Sequence, residues 1–470
     1  MRISTECLSD TMTRTVALSM MVVLALLASG LAQAANAPVL AILPPADEPA
    51  ELSWGPAIAA ALTDAVSETG RYLVLSDEQV LSAIGWTPPS APGPEPEAAR
   101  SILGADVVVA GRLVRDTSLE LTLQILGGPG GEVRISAEGL AELLQTAADG
   151  LADALGVPVL LPSHLTADEQ AALAFAQARA GHCEPHQPHR ALDRYADALD
   201  RDPDFALARF QWANLLRETG QWEQAAEQYR HALQTAGSWP RATANLAAIE
   251  FSLGDVARAT GLWQEAAAQS SDLQAAAYAE NNLGSVALSQ GDQAGAEGHY
   301  RRALDIWPGY AMANANLGLL ARVRGDNSAA IGHLQQAAGQ RADLRAAAFA
   351  ERTWGDTLRL QQDYTGALEH YRRALQLHPA GAMAHVNMGV TYRQMGRDAE
   401  AEDAYRQAIL LGNDPTAMAY AHNNLGNLHM AKSMYRLAAG EYERALELKP
   451  DYQTARDNLQ KARAMIEQQR

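Results

Sequence analysis

The stretch from Asp272 to Gly284, DLQAAAYAENNLG, decides the fold, because it returns twice at a constant distance of 71 residues: DLRAAAFAERTWG at 343 to 355 and DPTAMAYAHNNLG at 414 to 426. Each 71-residue period also holds a shorter relative: TANLAAIEFSLGD at 243 to 255, NANLGLLARVRGD at 314 to 326 and HVNMGVTYRQMGR at 385 to 397. The unit is a pair, and the pair is repeated.

Working outward from Leu283-Gly284, an Ala follows at 296, an aromatic at Tyr300, a second Ala at 303 and a Pro at 308. Small residues let two helices approach, the aromatic fills the gap beside them, and the Pro stops the second helix. The first Ala recurs at 191, 225, 259, 296, 330, 367, 401 and 438, and the second at 198, 232, 266, 303, 337, 374, 408 and 445. Between them stand Tyr195, Tyr229, Trp263, Tyr300, Leu334, Tyr371, Tyr405 and Tyr442, so Leu334 alone breaks the aromatic column. This pattern resembles the tetratricopeptide (TPR) repeat. The resemblance implies an all-α superhelical solenoid of about eight repeats over 165–470, closed by a polar-faced capping helix from 452.

Repeat starts, counted six residues before each Leu, fall at 206, 240, 277, 311, 348, 382, 419 and 453, so steps of 34 and 37 alternate. The longer steps have Ser271, Ala342 and Asn413 where the others have Pro308, Pro379 and Pro450. Three extra residues are nearly one helical turn. Asp272, Asp343 and Asp414 are therefore expected as N-caps of lengthened first helices, with Pro415 at a first helical position that needs no N–H.

With 470 residues, 48% of them hydrophobic, the chain has room for more than one domain and enough apolar mass for a core. A net charge of −18 argues against nucleic acid, whose binding draws on a basic stripe. Residues 12 to 34 carry Arg14, an uncharged run from Val16 to Leu31 and the small-residue site Ala32-Gln33-Ala34. They read as a Sec-type signal peptide over 1–34, which implies a periplasmic or secreted bacterial protein with no stable membrane span after cleavage. The rival, an uncleaved anchor, has an apolar run shorter than the ~20 residues of a span. Glu6 and Asp10 do not suit a signal's positive front, which favours a start at Met12. Cleavage leaves Cys183 alone, so no internal disulfide is available.

From Pro38 to Val159 the pattern changes. VLAILPP at 39 to 45, YLVLS at 72 to 76, ADVVVAGRLVR at 105 to 115, SLELTLQIL at 118 to 126 and EVRIS at 132 to 136 read as strands. Helical segments are expected at 54 to 69, around 78 to 84, at 96 to 103 and at 140 to 155, with PPSAPGPEP at 88 to 96 as a surface loop. The order of elements, AILPP early and GADVVVAGRLVR late, resembles the N-terminal module of TolB-like proteins over 35–160. The fold class is thus α+β and mostly α, a small α/β domain followed by the solenoid.

No G-x-x-x-x-G-K, G-x-S-x-G, H-E-x-x-H or paired C-x-x-C occurs, so neither catalysis nor a cofactor is expected. The GGPGG at 127 to 131 joins strand to strand and lacks a following Lys, which disfavours phosphate binding. His182, Cys183, His186 and His189 have spacings that suit zinc or copper, and equally read as a solvated Pro-rich loop. If Leu173-Ala174 is the first repeat's small pair and Gly181 its turn, roughly five inserted residues hold these candidate ligands.

The resemblance implies that first helices line a concave groove. Five residues before the Leu stand Leu207, Arg241, Tyr278, Met312, Phe349, Met383 and Tyr420. Directly before it come Asn245, Asn282, Asn316, Asn387, Asn424 and Asn458, and five after it Arg217, Phe251, Leu288, Arg322, Arg359, Arg393 and Met430. Side by side, such rows suit an extended peptide: amides for its backbone, apolar pockets for its side chains and guanidinium groups for a carboxylate. Each row also has a plainer reading, as repeat habit, core packing or surface ion pairs. The expectation is an exported, non-enzymatic scaffold that binds a partner peptide or protein in cell-envelope assembly or regulation. The alternatives are a sensor whose α/β domain binds a small ligand relayed by the array, and a metal-binding protein.

Overall fold

The computed structural model describes residues 37–44, 46–48, 54–67, 72–75, 80, 96–103, 105–115, 118–128, 130–157, 165–182, 188–269, 271–340 and 343–468. The signal-peptide reading, the loop at 88 to 95 and most of the expected helix at 78 to 84 lie outside the described residues.

The N-terminal part is a sheet of six strands, β1 (Val39–Ile42), β2 (Ala46–Glu48), β3 (Leu73–Val74), β4 (Val107–Arg115), β5 (Leu119–Leu126) and β6 (Gly131–Ala137). Its order is β3-β1-β4-β5-β6, with β2 also on β4. β1 and β2 run parallel to β4, and β4, β5 and β6 are antiparallel neighbours. Ile42 lies opposite Val109 and Ala46 opposite Arg112, so three residues face two on β4. The register shift falls beside Pro44, which has no N–H to give a ladder. Helices α1 (Gly55–Ser67), α2 (Pro96–Leu103) and α3 (Leu140–Leu155) accompany the sheet. β5 alternates buried and exposed residues, the mark of a sheet covered on one face.

Eight helix pairs follow: α4 (Glu169–His182) with α5 (Pro188–Arg201), α6 (Ala206–Glu218) with α7 (Trp222–Ala236), α8 (Pro240–Ser252) with α9 (Val256–Ala268), and α10 (Leu273–Ser289) with α11 (Gln293–Ile306). The series continues with α12 (Ala311–Val323) and α13 (Asn327–Gly339), α14 (Leu344–Leu360) and α15 (Tyr364–Leu377), α16 (Ala382–Gln394) and α17 (Asp398–Leu411), and α18 (Pro415–Ala431) and α19 (Tyr435–Leu448). A single helix, α20 (Gln453–Gln468), ends it, with Ala455, Leu459 and Ala462 buried and its polar residues outside.

Small residues do the packing that the repeat pattern implies. A Cβ on Gly284 would come within 2.6 Å of the Tyr300 ring, one on Gly355 within 2.6 Å of Tyr371, and one on Gly426 within 2.5 Å of Tyr442. Leu334 fills the same place against Gly318. The alternating helix lengths also appear: α10, α14 and α18 have 17 residues, whereas α8, α12 and α16 have 13. Asp272, Asp343 and Asp414 cap the long ones, accepting from the N–H groups of Ala275, Ala346 and Ala417 at 2.9, 2.8 and 3.0 Å.

The first repeat departs from expectation. Gly181 is inside α4, not in a turn, and a Cβ on it would meet Ala191 at 3.5 Å. Second helices elsewhere start ten residues after the Leu place, as Gln293 follows Leu283. Counting back from Pro188 puts Ala178-Arg179, rather than Leu173-Ala174, in the Leu-Gly place. No insertion is needed between α4 and α5.

The chain divides into two compact units, one up to Tyr310 and one from Ala311. In the first, the sheet and the opening repeats share a continuous apolar core running from Leu40 to Ile249. Glu169 of α4 reaches back to cap α3, accepting from the Leu140 and Ala141 N–H groups at 2.7 and 2.9 Å. Arg241 of α8 donates to Ser67 Oγ of α1 at 2.7 Å and pairs with Asp272 at 3.0 Å. In the second unit, first helices α12, α14, α16, α18 and α20 touch in series, and second helices α13, α15, α17 and α19 pack between them.

Candidate functional site

Each row of candidate residues sits on first helices, where the 3.6-residue period puts residues five before and five after the Leu on the side away from the second helix. In the first unit this face is partly taken by the chain itself. Leu207 is buried, Arg241 is held by Ser67 and Asp272, and β3 packs against α10, which carries Tyr278 and Asn282. Tyr278 packs against the core of its repeat, and Asn282 Nδ2 donates to its own helix at the Tyr278 carbonyl, 2.9 Å away.

The second unit leaves the face more open. Met312, Phe349, Met383 and Tyr420 are half-buried, and the last three rest against repeat cores while keeping one side uncovered. Arg352 lies over the Phe349 ring at 5.0 Å, and Tyr420 meets Tyr452 edge-on at 5.2 Å. Asn316 and Asn424 are half-buried. Asn387 Nδ2 is engaged, donating to Asp356 Oδ1 at 2.9 Å.

The arginines behave differently from their neighbours. Arg352, Arg397, Arg406, Arg444 and Arg463 each pair with a carboxylate. Among the described residues Arg322, Arg359 and Arg393 form no ion pair. The Nε atoms of Arg322 and Arg359 are buried without an acceptor, the Arg359 guanidinium meets Gln394 Oε1 at 3.4 Å and the Tyr371 hydroxyl but no carboxylate, and Arg393 is exposed. Burial pushes the Tyr405 phenol up, the Arg393 guanidinium pulls it back, the Asp398 carboxylate adds to the rise, and Arg359 offsets it by less.

Sequence reasoning missed the residue after each close-packed glycine or alanine. Asn214, Ser285, Asp356 and Asn427 recur every 71 residues, and the second-helix tyrosines bond to them. The 71-residue period was the signal that would have found them. Of the proposed metal ligands, Cys183, His186 and the His182 side chain lie outside the described residues, and His189 is exposed on α5. No group of three or more metal-ligating side chains occurs among the described residues, and no helix among them is long and apolar enough to cross a membrane.

Comparison with known proteins agrees with this architecture. Tetratricopeptide repeat families match residues 210–275, 245–311 and 384–419, and a TPR repeat family matches 355–396. Human protein O-mannosyl-transferase TMTC3 is 29% identical over 113 residues, 22% of this chain and 12% of its own length. Human DnaJ homolog subfamily C member 7 is 27% identical over 128 residues, 27% of this chain and 25% of its own. The chain thus spans a quarter or less of these relatives. A chain in the crystal structure of the APC/C hetero-tetramer Cut9-Hcn1 is similar over 62% of this chain and 55% of its own, at 18% identity and a TM-score of 0.46. The MamA crystal structure is similar over 36% of this chain and 95% of its own, at 24% identity and a TM-score of 0.29. The column of glycines under tyrosines, the paired helices and the matched segments identify the helical array of this chain as a run of tetratricopeptide repeats.

Proposed function

We propose that this chain is an exported, non-enzymatic scaffold that holds an acidic segment of a partner protein along the first-helix face of its second unit. Tetratricopeptide repeats are protein-interaction modules, and the finer reading rests on one observation: Arg322, Arg359 and Arg393 stand in one row without carboxylate partners. A buried guanidinium N–H without an acceptor carries a desolvation cost that an incoming carboxylate removes.

Charge distribution favours the same half. Residues 311 to 470 hold 19 Lys and Arg against 17 Asp and Glu, whereas residues 1 to 310 hold 18 against 38. An acidic partner is repelled by the first stretch and tolerated by the second. The apolar row of Met312, Phe349, Met383 and Tyr420 supplies shallow pockets for alternate side chains, and Asn316 and Asn424 supply amides. The Arg14, Val16–Leu31 and Ala32-Gln33-Ala34 pattern supports export, and with it a partner in the cell envelope.

Changing Arg322, Arg359 and Arg393 together to Glu is expected to abolish capture of the partner from envelope extract with the helical content unchanged. Wild-type capture should weaken between low and physiological salt, since the contact is partly screened. Undiminished capture by the triple variant would move the site off this face.

A further inference from the structure

The repeats serve as each other's controls. In every second repeat a polar residue follows the close-packed glycine or alanine and meets the second-helix tyrosine, and in three of these four repeats its oxygen accepts from two donors. Tyr371 Oη and Asn387 Nδ2 donate to Asp356 at 2.8 and 2.9 Å, and Tyr442 Oη and Asn458 Nδ2 donate to Asn427 at 2.8 and 3.2 Å. Tyr229 Oη and Asn245 Nδ2 share Asn214 in the same way.

In the intervening repeats that place is apolar: Ala248, Leu319 and Val390. Ala248 and Leu319 belong with Trp263 and Leu334, which carry no hydroxyl. Val390 belongs with Tyr405, and both join one apolar cluster. The Tyr405 side chain is fully buried and its Oη has no hydrogen-bond partner. Asn424, at the place from which Asn387 and Asn458 donate, makes no side-chain hydrogen bond among the described residues. The two donors have kept their positions, and their acceptor has been replaced by an isopropyl group.

We propose that Val390 determines specificity by withholding the internal acceptor, so that a carboxylate of the partner completes the niche formed by Tyr405 Oη, Asn424 Nδ2, Arg359 and Arg393. The inference rests on the groove reading above and sharpens it to one subsite. A buried hydroxyl without an acceptor is costly, and beside two guanidinium groups that hold no carboxylate, opposed only by the exposed Asp398, an anionic oxygen is favoured over a neutral one. Val390 is half-buried, so the ligand displaces an apolar side chain and breaks no existing hydrogen bond. Both an Asp or Glu side chain and a peptide C-terminus offer this group.

The test uses the full chain and fluorescein-labelled octapeptides rich in Asp and Glu, with free or amidated C-termini, beside Asn and Gln counterparts, read by fluorescence anisotropy. Wild type should prefer the acidic peptides. Val390→Asn restores the acceptor seen at Asn427, and should raise Tm while weakening acidic peptides at least tenfold. Tyr405→Phe should weaken them several-fold with no loss of Tm. Retained binding of amidated peptides assigns a side-chain carboxylate; loss on amidation assigns the C-terminus. If Val390→Asn and Tyr405→Phe both leave affinity unchanged while Arg359→Glu abolishes it, the niche is wrong and the groove stands. If none of the three matters, or wild type binds no acidic peptide, the groove reading falls with it.

Discussion

At the scale of single residues, the array turns on whether a Cβ has room. Gly355 lies inside α14 with the Tyr371 ring 2.6 Å from where a Cβ would be, whereas a Cβ on Gly261, exposed within α9, would meet nothing within 4 Å. Gly355→Ala should therefore destabilise by about 1–3 kcal/mol through forced displacement of a fully buried ring. Gly261→Ala should stabilise by roughly 0.5–1 kcal/mol by removing backbone entropy from the unfolded chain. Urea midpoints of the two variants moving in the same direction would contradict this. These close approaches were legible beforehand, because glycine and tyrosine recur at fixed spacing. The orphaned Tyr405 hydroxyl was not: its missing acceptor lies fifteen residues back at Val390, and no local motif marks an absence.

At the scale of elements, the alternation of 13- and 17-residue first helices shows how little sequence is needed to lengthen a helix by a turn. An Asp that accepts the N–H of the third helical residue suffices, and in α18 Pro415 adds a first position with no N–H to satisfy. Among the three caps, burial holds the Asp343 carboxyl above its ordinary 3.8, while its bond from Ala346 partly offsets that. A raised native pKa means that wild type gains stability on acidification, and loses it again as the pH rises through the native value. Asp343→Asn keeps the cap without burying a charge. It should be more stable than wild type at neutral pH, with the advantage shrinking as the pH falls toward 3.8. Thermal melts from pH 7 to 4 would check this, and a widening advantage on acidification would rule it out. The caps could be read from Asp and Pro415, but the first repeat could not. Gly181 looks like a turn, and the register shows in the start of α5 at Pro188 and in the approach of Ala191 to Gly181.

At the scale of the molecule, the sequence suggested a seam near residue 160, and the apolar core runs across it. Local pattern could not report this, since the tie between Ser67 and Arg241 spans 174 residues. Glu169→Ala removes the acceptor for two α3 N–H groups and should cost roughly 1–3 kcal/mol. Because the core is shared, amide exchange should quicken in β5, β6 and α4 together; quickening confined to the start of α3 would show separate folding. The position of Glu169 also bears on the order of events at synthesis. The sheet is complete in sequence by Leu155, but the carboxylate that seals α3 belongs to a later helix, and the core it shares extends to Ile249. A nascent chain therefore carries an unfinished sheet, with apolar surface exposed, until about the third repeat has emerged. That interval is the one in which exposed apolar surface makes the chain most prone to aggregate.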